Sequence, residues 1–350
     1  MMIAEFLKPY KYIIFDLDGV ITSEEMYWNC AALSTYEILS GRLWNKDRRD
    51  VFLSGKEFFD FKCAENRVYE IRDLIFCKKK TISKIKQNGI NSNWDLGYYT
   101  LLACIICGAR GSDTLSKNDC KEFYDSVYNF IANIETSDSV SFFYELENRV
   151  QQIIPMEEGF YRRCGTLWNY FFDLFQTWYF GNEALNRKGF ICKEEPLLPL
   201  DKLRNLLIEL DKNGKILSTA TGRLITEILP LKNWGIYNCF DNVVTYTDCI
   251  IAEKALNNSI HLSKPHPYQL LKALFANTYT DKQLINGEYN KDIMSQVLFV
   301  GDSMSDLIAT KSLYRASFMG VLTGVLSKED FENNKADFIC NNILDMCVWN

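Results

Sequence analysis

The chain has 350 residues, and this length together with a 47% hydrophobic content favours two globular domains over one. Its formal net charge of −6 disfavours a general nucleic-acid-binding protein, because such proteins cluster positive charge to neutralise phosphates. Residues 1–9 lack the pattern of a signal peptide and the longest apolar run, near 98–107, is shorter than a bilayer span, so we expect a cytoplasmic protein with neither a membrane nor a nucleic-acid partner.

The first predicted element is KYIIFDLDG, residues 11–19, a short apolar run that closes on acidic residues and a glycine. Such a run is typical of a buried parallel strand that ends at an active-site loop. Asp16 and Asp18 stand two residues apart at its end. Their side chains can face the same way only if the chain bends directly after Asp16, and Gly19 permits that bend.

Residues 23–198 follow another pattern, with helices rich in Phe, Tyr and Trp and little strand signal. We predict an all-helical cap domain over these residues, inserted after the first strand. The remaining residues, 1–22 and 199–350, form a discontinuous catalytic core. The aromatic stripes of the insert indicate a packed interior rather than a cofactor site.

Two pairs within this region have the spacing of a capping box, Thr22 with Glu25 and Ser54 with Glu57, and each predicts the start of a helix. One of these helices is expected over residues 56–76, with a single apolar face.

The twelve cysteines are scattered along the chain, and without a secretion signal we expect reduced thiols rather than disulfides. Cys104 and Cys107 form a C-x-x-C pair, but they lie in the apolar sequence LLACIICG, and no second pair stands at zinc-finger spacing. Core packing is therefore the favoured role of these two thiols. With only two histidines, His261 and His266, the sequence also argues against a histidine-rich metal site.

Strand and helix patterns alternate after the insert. An amphipathic helix begins near Leu200 and leads into a second strand pattern, KILSTATGR at residues 215–223. Three further strand patterns follow, at residues 242–247, 296–302 and 316–321, and helical stretches, such as 268–275 and 305–313, separate most of them. This alternation predicts an α/β fold with a doubly wound parallel sheet, in which ligands bind beyond the carboxyl ends of the strands.

Acidic side chains stand at two of those strand ends. A carboxylate such as Asp16 can attack phosphorus directly and form an acyl phosphate, but it needs positive charge nearby because the phosphoryl group is anionic. Magnesium bound by oxygen ligands supplies such charge. In GDSMSD, Asp302 is placed to bind the ion, and Asp306, one helical turn further on, is placed to support it.

Two further segments carry groups suited to phosphate. Thr221 and Gly222 offer a hydroxyl and backbone N–H groups for a phosphate oxygen. Lys264 in SKPHP offers a compact positive charge next to the stiff residue Pro265, and this charge can neutralise both the nucleophile and the transferred group.

Together, FDLDGV, the STATGR turn, SKPHP and GDSMSD resemble the four ordered motifs of the haloacid-dehalogenase-like (HAD) hydrolase superfamily. The resemblance covers residues 11–19 and about 200–345, and it implies a HAD-like core related to the Rossmann fold. By position it implies that Asp16 is the nucleophile and Asp18 the general acid and base. Thr221 becomes the hydroxyl of the second motif and Lys264 the cation of the third, both of them catalytic and phosphate-binding.

The resemblance also implies a Mg²⁺ ion. Its ligands would be the Asp16 carboxylate, the Asp18 backbone carbonyl and Asp302, with Asp306 behind them. A helical insert after the first motif resembles phosphoglycolate phosphatases and β-phosphoglucomutases, although this insert is longer than is usual in that group. Asp18 favours phosphomonoester chemistry, because the branches that cleave carbon–halogen bonds or phosphonates lack an aspartate at this position.

The leading hypothesis is a phosphatase that acts on a small phosphorylated metabolite through an aspartyl phosphate. A phosphomutase of the β-phosphoglucomutase type, or a non-catalytic HAD-like interaction protein, is the alternative, and the motifs leave the substrate and oligomeric state open. Two further residues are candidates for substrate binding. Lys56, near the start of the predicted helix, either reaches substrate or simply opens the helix. Arg223 either touches substrate or pairs with an acidic neighbour.

Overall fold

A computed structural model describes residues 2–39, 61–88, 90, 92–110, 119–135, 139–183, 187–257, 260–324 and 326–348. The chain forms two compact units, a core unit of residues 1–24 and 194–350, and an insert unit of residues 25–193.

The core unit is built on a parallel sheet whose described strands, in chain order, are β1 Tyr12–Phe15, β2 Ile216–Ala220, β3 Asn242–Val244, β4 Val297–Gly301, β5 Ser317–Val321 and β6 Phe338–Cys340. Their order across the sheet is β3-β2-β1-β4-β5-β6, so the strand order reverses at β1. The carboxyl ends of β1, β2 and β4 therefore lie side by side at the point where doubly wound sheets bind ligands.

Strands β1 and β4 are apolar along their whole length because both faces of the sheet are covered. All five residues of β4 are buried. Phe15, Leu298 and Val300 pack on one side, against Leu203 and Leu207 of the helix Leu200–Lys212. The intervening residues of the same strands face the other side, where they pack with the helices Tyr268–Phe275 and Met304–Lys311.

Backbone pairing joins the two segments of the core unit at which the insert leaves and returns. Ser23 donates its N–H to the carbonyl of Glu195, and Leu197 donates to the carbonyl of Ile21. Thr22 and Pro196 form an isolated β-bridge. Residues 194–198, assigned to the insert by the sequence, are thereby held against the core unit, which is why the second border lies before Glu194 rather than after residue 198.

The insert unit is mainly helical, and the structure describes the following helices in it: Glu25–Glu37, Phe61–Asn66, Val68–Ile75, Lys80–Gln87, Asn93–Arg110, Asp119–Ala132, Ser139–Ile153 and Thr166–Phe180. It departs from the all-helical prediction where two short strands, Gly181–Asn182 and Arg187–Lys188, pair antiparallel. Aromatic side chains form its interior. Tyr27, for example, stacks on Tyr179 with ring centroids 4.6 Å apart, and both rings are buried.

Three local predictions differ from the structure. The first helix begins at Glu25 rather than directly after Thr22, because Thr22 and Ser23 pair with the returning segment through the bridge to Pro196 and the hydrogen bond to Glu195. The helix expected over 56–76 is interrupted at Arg67 within its described part, while residues 54–57 lie outside the described residues. Strand β6 escaped prediction because it has only three residues, all of them half-buried.

Cys104 is fully buried, and burial raises the pKa of its thiol well above the usual value. A thiol of this kind packs rather than reacts. Among the described helices, none is long and apolar enough to cross a membrane.

Candidate active site

Asp16 lies directly after β1, at the centre of the sheet edge. Its N–H donates to the Val300 carbonyl at 2.8 Å, which extends the pairing of β1 with β4 by one residue. The residue is only 1% exposed. Burial raises the pKa of Asp16 to about 7; the Lys264 ammonium opposes this shift, and the carboxylates of Asp306 and Asp18 add to it. The site must therefore offer positive charge to keep this carboxylate ionised.

Lys264 supplies part of that charge. Its Nζ lies 3.0 Å from Asp16 Oδ1 and 2.6 Å from Asp306 Oδ1, and it donates to the Ala220 carbonyl at 3.1 Å. Burial disfavours the ammonium form, but Asp16 and Asp306 outweigh burial and hold the pKa of Lys264 above its usual value. Lys264 is therefore a fixed cation beside Asp16.

Asp302 and Asp306 follow β4, as GDSMSD predicts, and both are buried. Ser303 caps the helix Met304–Lys311, and its hydroxyl donates to Asp306 Oδ2 at 2.6 Å. Because Asp306 Oδ1 accepts from Lys264, both oxygens of Asp306 have partners within the protein. Asp306 is thus placed to orient Lys264.

Asp16, Asp302 and Asp306 place one carboxylate oxygen each within 4.8 Å of one another. Lys264 contacts two of these three carboxylates. One ammonium cannot balance three carboxylates, so the group keeps a net negative charge in a buried space. A divalent cation with oxygen ligands suits such a site in charge and in donor type. The residues therefore fit Mg²⁺.

Two glycines approach the Asp302 carboxylate closely. A Cβ on Gly324 would lie 1.8 Å from Asp302 Oδ2, and a Cβ on Gly19, which has φ +77°, would lie 2.2 Å from the same atom. Thr323 Oγ1 donates to the Gly19 carbonyl at 2.5 Å and ties the two loops together. The loop after β5 therefore helps to set the position of Asp302.

Gly324→Ala is expected to displace the Asp302 carboxylate and to weaken magnesium binding by about tenfold, as loss of support around a metal ligand does. Calorimetric titration with Mg²⁺ measures this directly. Gly214→Ala is the control for a glycine replacement that strains the core unit away from the site: Gly214 has φ +71°, but a Cβ there meets nothing within 4 Å, so this variant should lose some stability and keep its magnesium affinity. Equal magnesium affinity in Gly324→Ala and the wild type would contradict the role given to this loop.

Asp18 lies in a tight turn after β1. Gly19 has positive φ, and the N–H groups of Ile21 and Thr22 both donate to the Leu17 carbonyl. The chain bends within this turn, as the glycine predicts. The Asp18 side chain is 16% exposed and accepts a hydrogen bond from Thr22 Oγ1 at 2.8 Å.

Thr221 follows β2 and is buried. Its N–H donates to the Val244 carbonyl, and its own carbonyl accepts from Gln269 Nε2 at 2.8 Å. A Cβ on Gly222 would meet nothing within 4 Å, so the turn borders open space. The backbone at Gly222 therefore has the room that a phosphate oxygen would need, whereas Thr221 is fully buried and its hydroxyl accepts from the Arg223 N–H at 3.2 Å.

Arg223 pairs with acidic neighbours, which is one of the two roles considered for it from the sequence. Its guanidinium contacts Asp18 and Glu194, and its side chain is 1% exposed. Contact with substrate stays a prediction for Arg223. Lys56 lies outside the described residues.

Sequence reasoning missed three residues that support the site: Glu194, Gln269 and Ser303. Ser303 carried a local signal, because Ser303 and Asp306 have the spacing of a capping box. Glu194 and Gln269 act on residues 29 and 48 positions away, and no local pattern marks such contacts.

No family model and no curated protein matches this chain. Solved structures do match it. The X-ray structure of Northeast Structural Genomics Consortium target ZR25 is 26% identical, with a TM-score of 0.67 over 96% of this chain and 97% of that one. A predicted phosphoglycolate phosphatase from Haemophilus somnus is 16% identical, with a TM-score of 0.43 over 97% of both chains. A haloacid-dehalogenase-like family hydrolase from Streptococcus pneumoniae is 13% identical, with a TM-score of 0.40 over 96% of both.

The match to target ZR25 extends over both units, so the core and the helical insert occur together in another solved protein. The predicted α/β fold is confirmed: a parallel sheet carries a helical insert after its first strand. Solved HAD-like hydrolases also stand among the matches.

Proposed function

We propose that this chain is a HAD-type, magnesium-dependent phosphatase that hydrolyses a small phosphomonoester through a phosphorylated Asp16. One observation carries the proposal. Asp16, Lys264, Asp302 and Asp306 come from three separate parts of the chain, yet they meet, buried, at one edge of the sheet. Burying charged groups in this way costs stability unless they are paired, so their meeting points to a chemical use.

In the first step, an oxygen of Asp16 attacks phosphorus, and the bond from phosphorus to the alcohol oxygen breaks. Lys264 holds Asp16 at 3.0 Å and neutralises charge on the nucleophile and the phosphoryl group. Thr221 and the backbone at Gly222 are proposed to bind a phosphate oxygen.

Asp18 is proposed to carry the protons. It gives one to the leaving alcohol oxygen in the first step. It then takes one from the water that attacks phosphorus, as the bond between Asp16 and phosphorus breaks. The products are the alcohol and inorganic phosphate, and both aspartates return to their starting state.

Asp16, Asp302 and the Asp18 backbone carbonyl would hold the magnesium ion, with Asp306 behind them. When bound, the ion supplies positive charge that offsets repulsion between the carboxylate and the phosphoryl group.

The proposal is tested by measuring phosphate release from a panel of phosphorylated metabolites, with and without Mg²⁺. We expect release that depends on the metal, and acid-quenched enzyme whose Asp16 peptide gains the mass of one phosphoryl group. Fast isomerisation of a sugar phosphate with little release would identify a phosphomutase. Neither release, isomerisation nor phosphorylation would indicate a non-catalytic protein.

Asp302→Asn is expected to raise the magnesium concentration needed for half-maximal phosphate release by about tenfold or more, because the amide is a poorer ligand for a hard cation. Direct titration of metal binding should change in parallel. Asp211→Asn is the control, since Asp211 is an exposed residue of the core unit. Saturation at the wild-type concentration would remove Asp302 from the proposed ligands.

The substrate is proposed to be a small phosphorylated metabolite in the cytoplasm, with no nucleic-acid or membrane partner. Cys104, Cys249 and Cys347 are buried thiols, in keeping with a reducing compartment. The formal net charge of −6 is in keeping with a small-molecule substrate rather than a nucleic acid.

A further inference from the structure

The Asp18 carboxylate is held by an arginine from the neighbouring strand end. Arg223 Nη2 donates to Asp18 Oδ1 at 2.6 Å, and Nε lies 3.0 Å from Oδ1 and 3.2 Å from Oδ2. Thr22 also donates to Oδ1. Most of these bonds converge on Oδ1, and they leave Oδ2 with one longer contact. The side chain is thereby fixed with its two oxygens in different environments.

Arg223 is itself fixed from behind. Its Nη1 donates to Glu194 Oε2 at 2.9 Å and to the Glu227 carbonyl at 3.0 Å. The Glu194 side chain is fully buried. A planar guanidinium whose three nitrogens all donate hydrogen bonds is held in one orientation, which a flexible lysine ammonium cannot reproduce.

Glu194 reaches this position through the backbone. It is the first residue of the core unit after the insert, and the neighbouring residues Glu195 and Leu197 pair with the segment that follows the Asp18 turn. Three stretches of chain therefore meet around the Asp18–Arg223 pair: the Asp18 turn, the end of β2, and the returning segment. Buried ion pairs contribute little net stability and are often kept for the geometry that they specify.

We propose that Arg223, oriented by Glu194, is a positioning residue that aims Asp18 Oδ2 at the reacting oxygens. This inference rests on the proposed phosphatase function. In the first step Oδ2, which has taken up a proton from solvent, gives it to the alcohol oxygen as that oxygen leaves phosphorus. In the second step Oδ2 takes a proton from water as the water oxygen bonds to phosphorus and the Asp16–phosphorus bond breaks. Arg223 acts through Asp18 and takes no proton itself.

Two probe substrates separate this role from substrate binding. The phenolate of p-nitrophenyl phosphate leaves without a proton, whereas the alkoxide of glycerol phosphate needs one. Misplacing Asp18 should therefore spare the phosphorylation of Asp16 by p-nitrophenyl phosphate and slow the later hydrolysis of the acyl phosphate. With glycerol phosphate both steps should slow.

The experiment compares Arg223→Lys, Glu194→Gln and Asp18→Asn with the wild type by rapid mixing. For Arg223→Lys we expect kcat on glycerol phosphate to fall about 100-fold, the size of effect that a misplacement of about 1 Å produces. With p-nitrophenyl phosphate we expect a burst of one equivalent of p-nitrophenol at near wild-type rate, followed by slow turnover. Asp18→Asn should show the same pattern more strongly, and Glu194→Gln more weakly.

Arg204→Met is the matched control, because Arg204 is an exposed arginine of the core unit that donates to the Trp234 carbonyl. This variant should leave kcat on both substrates and the size of the burst unchanged. The melting temperature and the burst amplitude report the folded fraction of each variant, and Glu194→Gln keeps the test open if Arg223→Lys folds poorly.

A rise in KM for both substrates without a change in the ratio of burst to steady rate would overturn the inference and make Arg223 a substrate contact. An equal fall in kcat on both substrates, without a burst, would overturn the inference and give Arg223 a structural role. Failure of the phosphatase proposal is distinct, since the wild type itself would then release no phosphate and form no phosphorylated Asp16.

Discussion

Asp16→Asn is expected to lower phosphate release by about 10⁴-fold or more, the loss that follows removal of a covalent nucleophile. The amide is nearly the same size as the carboxylate, but it is a poor nucleophile. The variant should also fail to gain the phosphoryl mass on acid quenching during turnover. Steady-state phosphate release and peptide mass spectrometry together check this result.

The fold should survive this change, because the Asp16 backbone N–H still pairs with Val300 and the side chain loses only charge. Asp211→Asn makes the same chemical change at an exposed position of the core unit and should retain full activity. If Asp16→Asn kept wild-type turnover, covalent catalysis at this position would be wrong.

Lys264→Met is expected to abolish activity and to destabilise the core unit by about 3–5 kcal/mol, the cost of leaving buried charges without their partner. Lys264 contacts two buried carboxylates, and its side chain is only 2% exposed. Methionine has a similar length, so the effect reports the lost charge more than lost volume. Urea unfolding measures the stability, and phosphate release measures the activity.

Lys272→Met provides the comparison. Lys272 pairs with Asp281 at 2.7 Å, but both side chains are partly exposed, and such pairs contribute about 0–1 kcal/mol. Lys272→Met should therefore change the free energy of unfolding little and leave phosphate release at the wild-type rate. Similar losses of stability and of phosphate release in both lysine variants would show that Lys264 contributes no more than an ordinary surface ion pair.

The sequence predicted the strand ends because each one ends in a pattern that local chemistry determines. Apolar strands stop at Asp16, Thr221 and Asp302, and parallel strands bring their carboxyl ends to one edge. The position of each strand end, together with the rule that parallel strands share one carboxyl edge, was thus enough to predict that these residues meet. Lys264 needed the family resemblance as well, because it follows no predicted strand directly.

Contacts between side chains distant in sequence could not be predicted in this way. Arg223 and Asp18 are 205 positions apart, and their pairing depends on β1 and β2 lying side by side in one register. The pairing of Arg223 with Glu194 likewise depends on the path of the returning chain, which places Glu194 in its buried position. A single sequence carries no local mark of that path.

The pairing of Ser23 with Glu195 and of Ile21 with Leu197 has a consequence for how this protein can be re-engineered or diversified. Both ends of the insert leave from segments that pair with each other in the core unit, and residues 25–193 form a compact unit of their own. We expect another helical cassette of any length to be accepted there, provided that its two ends are equally close. Glu194 belongs to the core unit, so such an exchange would keep its contact with Arg223.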